Sequence, residues 1–96
     1  MSRTYRVLIV EDEEIESSAL AMMLKYNRPE MEDIRCAANG IQALEIYRDM
    51  QPDIVLMDIN LPGVNGLDVI RQMRLLPGTA YFVIISAHSQ FSYAQE

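Results

Sequence analysis

The feature that most constrains this chain is a strict alternation between two kinds of hydrophobic pattern. Short continuous apolar runs, typical of buried strands, alternate with segments whose apolar residues recur at helical spacing. The strand-like runs are YRVLIV (5–10), the weaker DIRCAA (33–38), DIVLM (53–57) and YFVIIS (81–86). The resulting order β-α-β-α-β-α-β-α predicts an α/β fold, a doubly wound parallel sheet that carries helices on both faces.

Three complete helices are predicted between these strands, each with an apolar face turned toward the sheet. The predicted inward residues are Ile15, Ala19, Met22, Met23 and Tyr26, then Ala43, Leu44 and Tyr47, then Leu67, Ile70 and Met73. Turn-forming residues end the first and third helices, and FSYAQE (91–96) reads as the start of a fourth. A chain of 96 residues suits a single domain, so we take residues 1–96 as one domain.

Composition excludes several classes of function. The formal charge is −6 and there is no basic run, so we expect no direct binding of nucleic acid and no binding to a membrane surface. The N-terminus MSRTYR has no apolar segment of the kind found in secretory signals, and no stretch is long enough to span a bilayer. The single cysteine, Cys36, forms no internal disulfide and is expected to be a small buried apolar residue. We therefore expect a cytoplasmic protein.

Polar residues follow three of the predicted strands at the point where each strand ends. Glu11 and Asp12 follow the first strand, Asp58 follows the third, and Ser86 follows the fourth. The carboxyl ends of parallel strands lie at one edge of the sheet, where open α/β sheets bind ligands. Converging carboxylates repel one another and raise each other's pKa values, and a hard divalent cation such as Mg²⁺ removes that conflict. A carboxylate can also attack phosphorus and form an aspartyl phosphate.

Other polar residues in these segments need no special role. Glu13, Glu14 and Glu16 lie at the start of the first helix, where acids complement the helix dipole. A serine after an apolar strand, such as Ser86, is common when taken alone. His88 is expected to be a solvated loop residue.

Three segments carry a family resemblance. VLIVEDEE, DIVLMDINLPGVNGLDVI and VIISAHS resemble the three motifs of the CheY-like receiver domain of bacterial two-component response regulators, and the resemblance covers residues 5–96. It implies a flavodoxin-like sheet with strand order 2-1-3-4-5. It also implies that a sensor histidine kinase donates a phosphoryl group in a Mg²⁺-dependent reaction. Such a domain catalyses its own phosphorylation and dephosphorylation and turns over no metabolite.

The resemblance assigns a role to each matching residue. Asp58 matches the phospho-accepting aspartate, and Ser86 matches the hydroxyl residue that contacts the phosphoryl group and moves on activation. The backbone N–H of Ala87 would also bind the phosphoryl group. The implied metal ligands are Asp12 directly, Glu11 through water, Asp58, and Asn60 through its backbone carbonyl. The turn after the nucleophile matches at Pro62, Gly63 and Gly66.

The chain departs from the family pattern in two ways. Glu11 stands where an aspartate is commoner, so its longer side chain should reach the metal through water. The fifth strand and fifth helix of the family have no counterpart in these 96 residues, nor do the lysine and the aromatic switch residue of that strand. We expect the predicted fourth strand to be an exposed sheet edge, which favours homodimers or edge-strand pairing.

The segment SAHSQFSYAQE resembles receivers that precede an AraC-type helix-turn-helix domain, which implies a DNA-binding output domain and a role in transcription. Two other functions are compatible with a strand-end aspartate. A haloacid-dehalogenase-type phosphatase also uses a strand-end aspartate, but it needs an acid where Asn60 stands and a lysine downstream, and no lysine follows Lys25. An interaction module that is not phosphorylated remains open, because the lysine that pairs with the phosphoryl group in the family is missing here.

Overall fold

The computed structural model describes residues 3–85, which form six strands and three helices. In chain order they are β1 (Tyr5–Val10), α1 (Glu14–Asn27), β2 (Met31–Ala37), α2 (Gly40–Met50), β3 (Ile54–Asp58), β4 (Asn60–Leu61), β5 (Val64–Asn65), α3 (Gly66–Arg74) and β6 (Tyr81–Ile85). The predicted fourth helix, FSYAQE (91–96), lies outside the described residues. No helix within residues 3–85 combines the length and the apolar character that crossing a bilayer requires.

The main sheet has four strands in the order β2-β1-β3-β6, and every neighbouring pair is parallel. The predicted α/β class and the flavodoxin-like order are therefore confirmed, with β6 as the fourth strand of the sheet. The short strands β4 and β5 form a separate antiparallel hairpin around the turn at Pro62 and Gly63, and the sequence analysis predicted no strands there. Two-residue strands are too short for hydrophobic periodicity to detect.

The core lies on both faces of the central strands β1 and β3. Leu8 and Val10 of β1 belong to a buried cluster that includes Ala43, Tyr47 and Met73 from α2 and α3. Val7 and Ile9 are equally buried, and strand alternation directs them to the opposite face, where α1 packs against β1 and β2. The sheet is thus covered on both sides, which explains why β1 is continuously apolar rather than alternating.

The prediction for the inward face of α1 is wrong. Ile15, Met22, Met23 and Tyr26 are 84%, 72%, 60% and 89% exposed, and Ala19 is exposed as well. The helix instead turns toward the sheet with the residues Ser17, Leu20, Ala21 and Leu24, of which Ser17 is buried and the others are half-buried. Two apolar stripes with helical spacing run along α1, and periodicity alone does not tell which one faces the core.

The other helix faces agree with the prediction more closely. Ala43 and Tyr47 of α2 are buried, and the ring of Tyr47 stacks on that of Phe82 in β6 with 6.2 Å between centroids. Ile70 and Met73 of α3 are buried too, but the prediction for Leu67 is wrong, since this residue is 39% exposed. Leu67 is the second residue of α3, and the buried position in the first turn is taken by Val69 instead.

The expected burial of Cys36 is wrong, since the residue is exposed. It lies on β2, which has β1 on one side only and occupies the outer position of the described sheet. Most of β2 is exposed or only half-buried, which is consistent with its weaker apolar pattern.

Candidate functional site

The register of the sheet brings the acidic residues together. Val10 of β1 pairs with Met57 of β3, and Glu11 and Asp58 are the residues that follow this pair in the chain. Glu11 and Asp58 therefore lie next to each other at the ends of the two strands. The backbone N–H of Glu11 donates to the carbonyl of Ala37 at 3.0 Å, which extends the contact between β1 and β2 by one residue. The carboxyl ends of parallel strands therefore converge here as the sequence predicted.

Three carboxylates form a compact cluster at this edge. Glu11, Asp12 and Asp58 each offer a carboxylate oxygen, and these oxygens all lie within 4.8 Å of one another. Glu11 and Asp58 are only 8% and 7% exposed, whereas Asp12 is exposed. Among the ion pairs of residues 3–85, none involves these three acids. Two of the three acids are therefore buried, and no cationic side chain of residues 3–85 forms an ion pair with the cluster.

Glu11 responds most strongly to this environment. Burial, together with hydrogen bonds to the side chains of Asp12 and Glu16 and the charge of Asp58, raises the pKa of Glu11 from 4.5 to about 8. The backbone N–H of Glu13 opposes this shift by donating to Oε2 of Glu11 at 3.2 Å. Glu11 therefore holds a proton near neutral pH, mainly because burial disfavours its charged form.

Asp58 is held by one of its two carboxylate oxygens. The backbone N–H of Asn60 donates to Oδ1 at 2.9 Å, and within the described residues Oδ2 accepts no hydrogen bond. One oxygen is thus oriented by the backbone of the following turn while the other is available. A fixed carboxylate with a free oxygen is suited to bind a cation or to act as a nucleophile.

The loop after Asp58 returns to the end of β3 at very short range. A Cβ atom on Gly66 would lie 2.5 Å from the carbonyl oxygen of Asp58 and 2.8 Å from Cα of Ile59, so this position requires glycine. Gly63, in the β4–β5 turn, has φ +72°, which also favours glycine. The side chain of Asn65 then accepts from the N–H of Leu67 and caps α3.

The acidic cluster fits a hard divalent cation. Its donors are carboxylate oxygens, the ligands that Mg²⁺ prefers, and they lie close enough together to share one ion. Glu11, Asp12 and Asp58, three of the four predicted metal ligands, are therefore brought together. The fourth, Asn60, contacts Asp58 through its N–H, and a role for its carbonyl stays a prediction. Ser86, Ala87 and His88 lie outside the described residues.

A groove of about 250 Å³ beside the cluster was missed by sequence reasoning. It is lined mainly by Glu11, Asp12, Glu14, Ser17, Cys36 and Gln42. The side-chain oxygen of Gln42 accepts a hydrogen bond from the backbone N–H of Ala38 at 2.7 Å. The backbone N–H of Gln42 in turn donates to the side-chain oxygen of Asn39 at the start of α2. The spacing Asn-x-x-Gln, a capping pattern, was the available signal for this contact. The side-chain contact between Glu16 and Glu11 had no such signal, since Glu16 reads as an ordinary first-turn acid.

Comparison with known proteins gives consistent matches. A family model described as "response regulator receiver domain" matches residues 7–96. The chemotaxis protein CheY of Thermotoga maritima is 38% identical over 87 residues, which cover 88% of this chain and 69% of that protein. The uncharacterized transcriptional regulatory protein YesN of Bacillus subtilis is 30% identical over 92 residues, which cover 96% of this chain and 25% of that protein. The chain thus spans between a quarter and about two thirds of these relatives.

A solved structure matches the fold as well. The response regulator TrrA of Thermotoga maritima, in complex with Mg²⁺-BeF, superposes with a TM-score of 0.76 at 31% identity. The match covers 92% of this chain and 74% of that one. The likeness therefore extends over most of this chain.

Proposed function

This chain belongs to the response regulator receiver family, and on that premise we propose that it accepts a phosphoryl group on Asp58 from a sensor histidine kinase, in a Mg²⁺-dependent reaction. The observation that carries the proposal is the state of Asp58. This carboxylate is more than nine-tenths buried at the end of β3, shares a cluster with Glu11 and Asp12, and has one oxygen held by the N–H of Asn60.

The proposed reaction is a displacement at phosphorus. Oδ2 of Asp58, which accepts no hydrogen bond from the described residues, attacks the phosphorus of a phosphohistidine. A P–O bond to Asp58 forms as the P–N bond breaks, and the imidazole leaves and takes up a proton. Throughout the step the N–H of Asn60 keeps Oδ1 in place, so the attacking oxygen does not have to be oriented anew.

Glu11, Asp12 and Asp58 are proposed to hold the Mg²⁺ ion, with the carbonyl of Asn60 as a further ligand. When bound, the ion would offset the charge of the incoming phosphoryl group. Glu11 would give up the proton that its raised pKa retains, because a carboxylate must be ionised to bind a cation. The hydroxyl of Ser86 and the N–H of Ala87 are proposed to bind phosphoryl oxygens.

The chain is proposed to act as a signalling domain, residues 1–96, within a longer cytoplasmic protein. One of its relatives is named as a transcriptional regulatory protein, and the chain spans only a quarter of that relative. Together with the resemblance of SAHSQFSYAQE to receivers that precede AraC-type domains, this supports a DNA-binding output domain. In that arrangement, phosphorylation of Asp58 would regulate transcription through the output domain.

A second function, that of an interaction module without phosphorylation, is favoured by one observation. Within residues 3–85 no cationic side chain pairs with the acidic cluster, and a module that binds no phosphoryl group needs none. Such a module would keep the fold and the acidic cluster but would not respond to a phosphoryl group or its analogues.

Beryllofluoride, an analogue of a phosphoryl group on aspartate, separates the two functions. The melting temperature of the wild-type chain should rise when Mg²⁺ and beryllofluoride are both present, because ligands that bind only the folded state stabilise it. Asp58→Asn should abolish this rise. Asp68→Asn is the matched control, because Asp68 is an exposed acid on α3 that pairs with Arg71, and it should respond like the wild type. A wild-type chain that does not respond would favour the interaction module.

A further inference from the structure

Helix α1 carries an apolar stripe that no described part of the chain covers. The α1 stripe consists of Ile15, Ala19, Met22 and Tyr26, which follow one another at intervals of four, three and four residues and so lie on one face of the helix. Its three large side chains are 84%, 72% and 89% exposed. Exposed large apolar side chains that share one helix face indicate a surface used for association.

The α1 stripe is symmetric about its own midpoint. Ile15 and Tyr26 lie equally far from the point between residues 20 and 21, and the same holds for Ala19 and Met22. If two copies of α1 pack antiparallel about a two-fold axis through that point, Ile15 meets Tyr26 of the second copy. Ala19 then meets Met22 of the second copy, which sets a small side chain against a long flexible one.

The charges beside the α1 stripe fit the same arrangement. Glu14 and Lys25 are eleven residues apart, about three helical turns, and therefore lie along the same side of the stripe. Antiparallel packing brings Glu14 of one copy next to Lys25 of the other, twice per dimer. Neither residue takes part in an ion pair within the part of the chain that the structure describes. The opposed helix dipoles also favour this orientation.

We propose that the α1 stripe is a homodimer interface whose occupant is the α1 stripe of a second copy of this chain. One helix of 14 residues is about 21 Å long, so the contact is smaller than the roughly 1,200 Å² at which specific interfaces usually begin. The dimer should therefore be weak and reversible. Because α1 begins two residues after Asp12, dimerisation would bring the second copy close to the acidic cluster.

Sedimentation of the 96-residue chain from about 10 µM to about 1 mM measures this association. We expect a monomer–dimer equilibrium in the wild type and its loss in Met22→Glu. Glu14→Lys and Lys25→Glu should each weaken the dimer on the order of three- to tenfold, because each places like charges together at two sites. The double variant Glu14→Lys with Lys25→Glu should return to within about threefold of the wild type, since the pair is restored with its signs exchanged.

Two control variants make this result specific. Arg48→Glu, which changes an exposed charge in the last turn of α2, should leave the equilibrium unchanged. Val83→Lys on β6 tests pairing through the sheet edge instead. Circular dichroism should give the same helix content for all variants, because every substituted side chain on α1 is exposed. A monomeric wild type at every concentration, a double variant no tighter than the single ones, or loss of the dimer in Val83→Lys but not in Met22→Glu would overturn the proposal.

Discussion

Gly66 and Asp58 are in contact through their backbones, although they lie eight positions apart in the chain. A Cβ atom added to Gly66 would lie 2.5 Å from the carbonyl oxygen of Asp58, and the N–H of Gly66 donates to the carbonyl of Ile59 at 3.2 Å. The start of α3 therefore fixes the end of β3, where the candidate nucleophile lies. A change in α3 can reach the site through this contact without touching a carboxylate.

Gly66→Ala should damage both the stability and the site. The new methyl group meets backbone atoms, which cannot rotate away, so we expect a loss of about 1–3 kcal/mol in the free energy of unfolding. Phosphorylation of Asp58 should slow as the end of β3 moves. Gly40→Ala is the matched control, because its Cβ would meet only the methyl groups of Val69 and Val64, at 3.2 and 3.4 Å. Urea unfolding compares the two, and equal losses would contradict the argument.

The affinity for Mg²⁺ should depend on pH through Glu11. Its pKa is raised to about 8, so below that pH the carboxyl holds a proton that the cation must displace. The apparent affinity should therefore increase from about pH 6 to about pH 8, by at most about tenfold per unit. Titration calorimetry at several pH values measures this dependence. Glu11→Gln should flatten this pH dependence, whereas the control Glu45→Gln, which changes an exposed acid on α2, should leave it unchanged. A flat wild-type profile would show that the protonation of Glu11 is not linked to metal binding.

Strand β6 should make the chain prone to association at the sheet edge. It is the outermost described strand on its side of the sheet, and Tyr81, Val83 and Ile84 are 78%, 45% and 49% exposed. Exposed apolar edge strands pair with other chains, and a lysine blocks such pairing. Val83→Lys should reduce aggregation on heating, which light scattering records. The control Arg74→Lys keeps the charge on neighbouring α3 and should aggregate like the wild type. If Val83→Lys aggregates as much as the wild type, edge pairing is not the cause.

How far the sequence predicts this fold differs from element to element. The continuous apolar runs of β1 and β3 predicted both strands to within one residue, because strands buried on two faces leave a strong signal. The face of α1 could not be predicted in the same way. Leu20, Ala21 and Leu24 form a second apolar stripe next to that of Ile15 and Met22, and only the packed structure shows which one the sheet covers.

The candidate site was more predictable than the helix that begins beside it. Parallel strands fix the direction of each chain, so an acid that ends β1 and an acid that ends β3 have to meet. The protonation of Glu11 depends on how deeply its side chain is buried and on its contact with Glu16, and neither follows from spacing in the sequence. The contacts of Gln42 likewise depend on how α2 is placed against the sheet.

The central claim, that Asp58 accepts a phosphoryl group in a metal-dependent reaction, is tested most directly by intact-mass spectrometry. The chain would be incubated with acetyl phosphate, with Mg²⁺ or with a chelator, alongside Asp58→Asn and the control Asp68→Asn. We predict that one phosphoryl group is added to the wild type and to Asp68→Asn only when Mg²⁺ is present, and that none is added to Asp58→Asn. An unmodified wild type, addition that persists in the chelator, or equal addition to Asp58→Asn would contradict the account.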